Sequence, residues 1–212
     1  MSEVVLYDYW RSSASYRVRI ALNLAGISYK AHKVDLLAKE HKSAAHLDLH
    51  PQGLVPVLKI DGHSFTQSLA ILDYLDQTRE LGLLPSDPTK RTKIMAMAHT
   101  LAVDVHPVCN LAVVQHVSEL VGENNTSVKE DWMKHFILPG LCAFERQLKE
   151  FDLSPFVCGK SPGLAEICLI PQLYNADRWN VDYSNCHKLK GLAASCQQLK
   201  AFQDAHPDKV NV

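Results

Sequence analysis

Residues 54–67 read LVPVLKI-DG-HSFTQ, and the residue that restricts this chain most is the proline at the head of what is otherwise a strand. Pro56 has no N–H to give to a ladder, so it belongs on a sheet edge or at a special turn. Two readings follow. The strand is an edge strand, or the Val55–Pro56 bond is cis and turns the Val55 N–H and C=O outward to pair with an extended peptide. Asp61-Gly62 between the two runs specifies a tight hairpin, so 54–60 and 63–67 pair antiparallel.

The flanking sequence supplies the partners of that hairpin. EVVLYDY (3–9) has the aliphatic and aromatic bias of a strand, and Arg11 to Ala25 switch to helical spacing, with Val18, Ala21, Leu22 and Ala25 on one face and Gly26 as terminator. SYKAHKVDL (28–36) reads as a second strand and KEHKSAAHLDL (39–49) as a short helix. SLAILDYLDQTRELG (68–82) reads as a helix with Ser68 as N-cap and Leu69, Leu72 and Leu75 along one face. The order β-α-β-α-β-β-α, with proline opening the antiparallel strand, resembles the thioredoxin fold.

LLPSDPTK (83–90) is the best linker, and everything beyond it reads as helix. Residues 90–120 form one long segment bent at His106-Pro107. Ser127 and Glu130 make a capping-box pattern ahead of a helix over 131–151. Two more helices are expected at 164–177 and 188–205. The expected organisation is an α/β thioredoxin-like domain over 1–83, a linker over 84–90 and an all-α domain over 91–212.

Charge and cysteine usage narrow the partners. With 22 Lys and Arg against 23 Asp and Glu, the net charge of −1 gives no basic face for nucleic acid or membrane, which leaves a small molecule. MSEVVLYDYW carries early acidic residues and no cationic flank, so it does not read as a signal peptide, and a cytoplasmic location is the default expectation. The six cysteines, Cys109, Cys142, Cys158, Cys168, Cys186 and Cys196, show no CxxC pair and no zinc-site spacing, so no metal is expected and the thiols read as reduced and mostly buried. None precedes Cys109.

That last point bears on YDYWRSSASYRVRIALNLAG (7–26). Ser12 and Ser13 suit helix caps. They also make, with the helix N-terminus, a place where a thiolate is hydrogen-bonded and electrostatically favoured. Gln67-Ser68 at the start of a second helix reads either as a cap or as a seat for a carboxylate. With no cysteine in this half of the chain, the sulfur has to come from outside. A small peptide with one thiol and two carboxylates is glutathione.

YWRSSASYRVRIALNLAG, LVPVLKIDG, TQSLAILDYLD, LLPSDP, HPVCNL and IPQLYNADRWNVD resemble the zeta class of glutathione transferases over nearly the full length. The family's opening motif is Ser-Ser-Cys followed by Arg-Val-Arg-Ile-Ala-Leu. Ser12, Ser13 and Arg17 to Leu22 match it, while Ala14 stands where the family usually has cysteine. The resemblance implies the two-domain glutathione transferase architecture, a homodimer, and glutathione-dependent cis–trans isomerisation of maleylacetoacetate, a dicarboxylic cis-enone of tyrosine and phenylalanine catabolism. Maleylpyruvate isomerisation, general conjugation and a silent binding module are the alternatives.

By the same resemblance Ser12 holds the thiolate with Ser13 in support. It places Val55 on the cysteinyl backbone, Gln67 and Ser68 on the γ-glutamyl end and His41 near the glycyl end, with His106, Asn110 and Leu111 as further cofactor contacts. For the substrate carboxylates, Arg11 and Arg178 are the cationic candidates, since a guanidinium suits bidentate carboxylate binding. Arg17 and Arg19, inside the first helix, read as structural or interface charges. At GKSPGLAEICL (159–169), Gly163 and Glu166 replace the fold's usual Ser or Thr cap and Asp, with a small effect on stability expected.

Overall fold

Strand β1 (Val5–Asp8) lies inside a four-stranded sheet of order β2-β1-β3-β4, parallel to β2 (Lys30–Lys33) and antiparallel to β3 (Val57–Ile60), which pairs in turn with β4 (His63–Thr66). The hairpin turn has Asp61 at φ 52° and Gly62 at φ 80°, the left-handed pair that a two-residue connection of twisted strands requires. These coordinates come from a computed structural model that describes residues 3–122 and 126–211, with only the backbone of residue 126. The chain divides into two units. One runs to Gly82 and takes in the residues from Gln197 onward, and the other is Leu83–Cys196.

In the first unit, α1 (Ser13–Leu24) and α3 (Ser68–Arg79) pack on one another. Leu6, Leu58 and Ile60 of the sheet, Val18, Ile20 and Leu22 of α1, and Ile71, Leu72 and Leu75 of α3 are all buried and form its core. Helix α1 starts two residues later than the periodicity suggests, because Ser12 adopts extended backbone and its Oγ accepts the Ser15 N–H at 3.2 Å. It ends as expected, with Gly26 at φ 64°. The expected helix over 39–49 is a single 3-10 turn, Glu40–Lys42, followed by α2 (Ala44–Leu47).

The expectation that Ser68 caps α3 needs correcting. Gln67 holds the cap position at φ 65°, and Ser68 is the first helical residue. Its Oγ instead accepts from Arg17 Nε at 3.1 Å. A tertiary partner has displaced the local cap, which a reading of neighbours along the chain has no means of detecting.

The chain's last residues also fall elsewhere than a single helical body over 91–212. The pattern over 188–205 breaks at Leu199, whose extended backbone ends α8 (His187–Gln197) and starts α9 (Lys200–Ala205). Helix α9 packs on α1: Arg19 Nε donates to Ala205 O at 3.0 Å and Asn23 Nδ2 to Ala201 O at 2.9 Å. A short α10 (Pro207–Val210) follows.

In the second unit, α4 (Pro88–His99) starts inside the expected linker. Asp87 Oδ1 accepts the Lys90 N–H at 2.7 Å, and Pro88 takes the first helical position. Instead of one bent helix to residue 120, α4 runs into a π-helical segment, Thr100–Val105, and Pro107 keeps the chain from continuing before α5 (Leu111–Leu120). Helix α6 (Thr126–Gln147) begins ahead of Ser127, which therefore sits in its first turn and does not cap it. Helix α7 (Leu164–Arg178) is the buried axis of this unit and packs on α4 and α6. Among the described residues no helix is long and apolar enough to cross a membrane.

Gly163 does more than leave a cap unmade. A Cβ there would stand 2.7 Å from Cys158 Sγ and 2.7 Å from Leu83 O, the carbonyl that accepts the Leu164 N–H at 2.9 Å. Glu166 is fully buried and does the capping. Its Oε2 accepts the Gly163 N–H at 2.8 Å and its Oε1 the Val157 N–H at 2.7 Å. Burial raises its carboxyl pKa, and the two backbone N–H groups oppose that rise. Gly163→Ser, which in an open cap would stabilise, is expected to destabilise by about 1–3 kcal/mol through overpacking, read as a lower denaturant midpoint.

Candidate functional site

The strand register gathers the first unit's site residues at one end of the sheet. Tyr7 pairs with Val57 and Val57 with Thr66. One step further along the antiparallel strands, this register places Pro56 level with Asp8 and Gln67. The Val55–Pro56 peptide is cis, in agreement with the sharper of the two readings of that proline.

The turn before α1 is built as a rigid cradle. Arg19, almost wholly buried, donates from Nη1 to both Asp8 oxygens at 2.7 and 2.8 Å, and from Nη2 to Trp10 O at 2.9 Å. Ser12 N–H donates to Tyr9 O at 2.9 Å. The Ser12 hydroxyl receives the Ser15 N–H, so as an acceptor there it keeps its own proton to donate outward. Ser13 is buried in the first turn of α1, and Ala14 beside it is buried too.

Arg11 is half-buried and held in place. Its Nη2 and Nε reach Tyr9 Oη at 2.8 and 3.3 Å, and its guanidinium lies over the Trp10 ring at 4.7 Å. Both contacts use the face and one edge of the fork, which suits a cation fixed in direction before a carboxylate arrives.

At the α3 end, Arg17 is buried and donates to Ser68 Oγ, which leaves the Ser68 proton for a ligand. The Gln67 side chain makes no cap bond to the first-turn N–H groups of α3, so the positive end of that helix stands beside Ser68 with its cap unmade. Gln67 is exposed and donates from Nε2 to Gln52 Oε1 at 3.0 Å. Lys42 Nζ in turn donates to the carbonyls of Gln52 and Gly53 at 3.0 and 3.3 Å. A Cβ on Gly53, at φ 60°, would come within 2.6 Å of His41 O, so glycine is required where this loop passes the His41 turn. His41 Nδ1 is buried with no hydrogen-bond partner among the described residues, and burial, with Lys42 and His46 beside it, keeps its pKa below the ordinary imidazole value.

Ser12, Ser13, His41, Val55, Gln67 and Ser68 all belong to the first unit. His106, Asn110, Leu111 and Arg178 belong to the second unit and are placed there separately. His106 follows the π-helical segment and donates its N–H to Leu101 O at 2.9 Å. Asn110 caps α5, its Oδ1 accepting the Val113 N–H at 3.0 Å, and Leu111 is exposed. Arg178, the last residue of α7, is exposed, with its guanidinium 5.9 Å from the Trp179 ring centre.

Tyr9, Trp10, Arg17 and Gln52 are supporting residues that the sequence reading did not assign to the site. Tyr9 and Trp10 adjoin Arg11, so their aromatic character beside a cation was a usable signal. The Arg17–Ser68 and Gln52–Gln67 bonds span 51 and 15 residues and leave no trace in local pattern.

Residues 2–77 match the family model for the glutathione S-transferase N-terminal domain. The chain is 52% identical over 209 residues to the maleylacetoacetate isomerase of Rhizobium meliloti, covering 98% of each. Among solved structures it is similar to a maleylpyruvate isomerase described as a bacterial glutathione S-transferase of the zeta class, with a TM-score of 0.91, 32% identity and 98% of each chain covered. It is also similar to the maleylacetoacetate isomerase of Anaeromyxobacter dehalogenans with glutathione in its active site, with a TM-score of 0.86, 36% identity and 99% and 97% of the two chains covered.

Proposed function

Since the chain belongs to the zeta-class glutathione transferases, the family of the maleylacetoacetate isomerases, we propose that it uses glutathione to convert maleylacetoacetate into its trans isomer, fumarylacetoacetate. The observation that carries this reading is the link, within the first unit, of two helix N-termini through the Arg17–Ser68 bond, with a Ser12 hydroxyl that keeps its proton, a cis Val55–Pro56 peptide and no cysteine before Cys109. The donor set fits glutathione. Ser12 suits its sulfur, Val55 its cysteinyl backbone, Ser68 with the α3 N-terminus its γ-glutamyl carboxylate, and the unpartnered His41 Nδ1 its glycyl end.

Bound there, glutathione supplies a thiolate that adds to the alkene carbon and leaves again after rotation about the former double bond. The chain's residues supply charge and position. Ser12 donates to the sulfur and holds it ionised, acting as a donor and not as a base. Ser13 and the α1 N-terminus add to the same field. Arg11, fixed by Tyr9 and Trp10, takes a substrate carboxylate, and Arg178 is proposed for the second. His106, Asn110 and Leu111 are proposed as further cofactor contacts.

Ala14 matters to the choice among reactions. A glutaredoxin-like reductase needs a protein cysteine at the helix start to form a mixed disulfide, whereas addition and departure of a cofactor thiolate does not. Kinetics with maleylacetoacetate and maleylpyruvate, each with glutathione, test the assignment. Faster turnover of maleylacetoacetate is expected. A preference for maleylpyruvate transfers the assignment to that substrate, and glutathione binding without turnover of either makes the chain a silent module.

Arg11→Ala is expected to lower kcat/KM about 10- to 100-fold, the value of a charge-assisted hydrogen bond to a carboxylate, with the thiolate titration of bound glutathione unchanged. A homodimer is proposed as well. The Phe65–Tyr74 ring pair, 4.3 Å between centres, lies half-exposed on the outer side of β4 and α3 and suits a partner surface. Light scattering is expected to return twice the 23.7 kDa chain mass. A cytoplasmic location is proposed in keeping with six free cysteines.

A further inference from the structure

We infer that Arg17 is a positioning residue for glutathione: acting through Ser68, it makes the start of α3 select the carboxylate of the γ-glutamyl end and so fixes which way that end lies. The inference rests on the reading of Ser68 as the seat of that carboxylate. Arg17 belongs to α1 and Ser68 opens α3, and the two helices pack on one another. Arg17 is 3% exposed and Ser68 6%, and Arg17 Nε donates to Ser68 Oγ at 3.1 Å. A guanidinium has donors only, so the Ser68 oxygen can only receive from it, and the hydroxyl proton is turned away from Arg17. A residue that the first helix alone marks as a structural or interface charge thus sets the polarity of a hydroxyl 51 residues along the chain.

The backbone beside Ser68 is held as firmly. Gln67 stands at φ 65°, a region that costs a residue with a side chain and that persists only where the surroundings over-determine it. Three contacts do so. The Gln67 carbonyl receives the Ile71 N–H at 3.0 Å, its side chain donates to Gln52 Oε1 at 3.0 Å, and the next residue is tied to Arg17. The Ser68 hydroxyl therefore meets a ligand from a turn with little freedom to reorient.

The γ-glutamyl end of glutathione carries an ammonium and a carboxylate on one carbon. An isolated serine hydroxyl serves either, donating to the carboxylate or accepting from the ammonium. With Arg17 behind it, one acceptor position of Ser68 is in use and a buried positive charge stands next to it, which favours the carboxylate and opposes the ammonium. The unmade cap of α3 adds a field of the same sign. The carboxylate is thereby seated at Ser68 and the ammonium directed away from Arg17, which leaves the peptide one orientation.

The test measures, by calorimetry on the full chain, the binding of glutathione and of two analogues: glutaryl-Cys-Gly, which keeps the carboxylate and lacks the ammonium, and 4-aminobutyryl-Cys-Gly, which keeps the ammonium and lacks the carboxylate. Arg17→Met is expected to weaken glutathione and glutaryl-Cys-Gly alike, about 10- to 100-fold, the worth of a charge-assisted hydrogen bond, while 4-aminobutyryl-Cys-Gly binds no more weakly than to the parent. Ser68→Ala is expected to give the same pattern, and the double variant no further loss, because the two residues act as a unit. Arg17→Lys keeps the charge without the fixed fork and is expected to show a smaller loss confined to the same two ligands, so the comparison survives where Arg17→Met folds poorly. An equal loss for all three ligands, as a merely structural role gives, parent affinity for glutathione in either Arg17 variant, or additive losses in the double variant overturns the inference. A parent that binds none of the three ligands removes the cofactor seat itself, and the inference with it.

Discussion

Ser12→Ala is expected to cut isomerisation about a hundredfold or more, the usual cost of removing a preorganised donor from an anion. The geometry makes the effect separable from folding. In the parent, the Ser12 oxygen accepts from Ser15 N at 3.2 Å while its proton remains for the ligand, so one hydroxyl serves both helix and sulfur. Losing the cap costs about 1 kcal/mol of stability. Losing the donor raises the pKa of bound glutathione. Thermal melts paired with thiolate absorbance across pH therefore read the two roles independently. A variant that melts lower but titrates and turns over like the parent reduces Ser12 to a cap and removes the centre of the proposed site. Ser13→Ala is expected to change turnover far less, since that residue is buried in the first turn and supports the cradle from behind.

How much of this was legible before any coordinates depends on how local each interaction is. Strand and helix order in the first unit, the Asp61-Gly62 turn and the Gly26 terminus are set by residues within a few positions of one another, and all appear as read. Ser68 was misread as a cap because its oxygen is taken by Arg17, 51 residues away. The long helix after Asp87 was misread because a proline at 107 signals a break and says nothing of the π-helical segment that precedes it. Gly163 was read as a weakened cap, and only the approach of Cys158 and the Leu83 carbonyl shows why a side chain is excluded there. At the site, the residue types beside each helix start were informative, whereas the groups that hold them in place (Tyr9 and Trp10 around Arg11, Gln52 on Gln67) depend on folded geometry.

The Arg19–Asp8 pair connects that geometry to stability. Side-chain exposure is 1% for Arg19 and 7% for Asp8, so the rule for surface ion pairs, whose worth is near zero, does not apply. A guanidinium buried this deeply is tolerable because four acceptors surround it: both Asp8 oxygens, Trp10 O and Ala205 O. Asp8→Ala removes the only carboxylate in that set and leaves the cation buried against two carbonyls. A loss of about 3–5 kcal/mol is expected, since breaking one side of a buried pair leaves an uncompensated charge. For a chain of this length that corresponds to a melting temperature lower by roughly 6–20 °C. Replacing both partners with apolar residues, as in Asp8→Leu with Arg19→Met, is expected to recover part of that stability. Activity is expected to stay low in the double variant, because Trp10 O loses its Arg19 donor and the turn carrying Arg11 and Ser12 loses the link to α9 that runs through Arg19. Chemical denaturation of the single and double variants, with kinetics on the double, checks both halves. Full activity in a well-folded double variant would mean that Arg19 holds the fold alone and has no part in positioning the site.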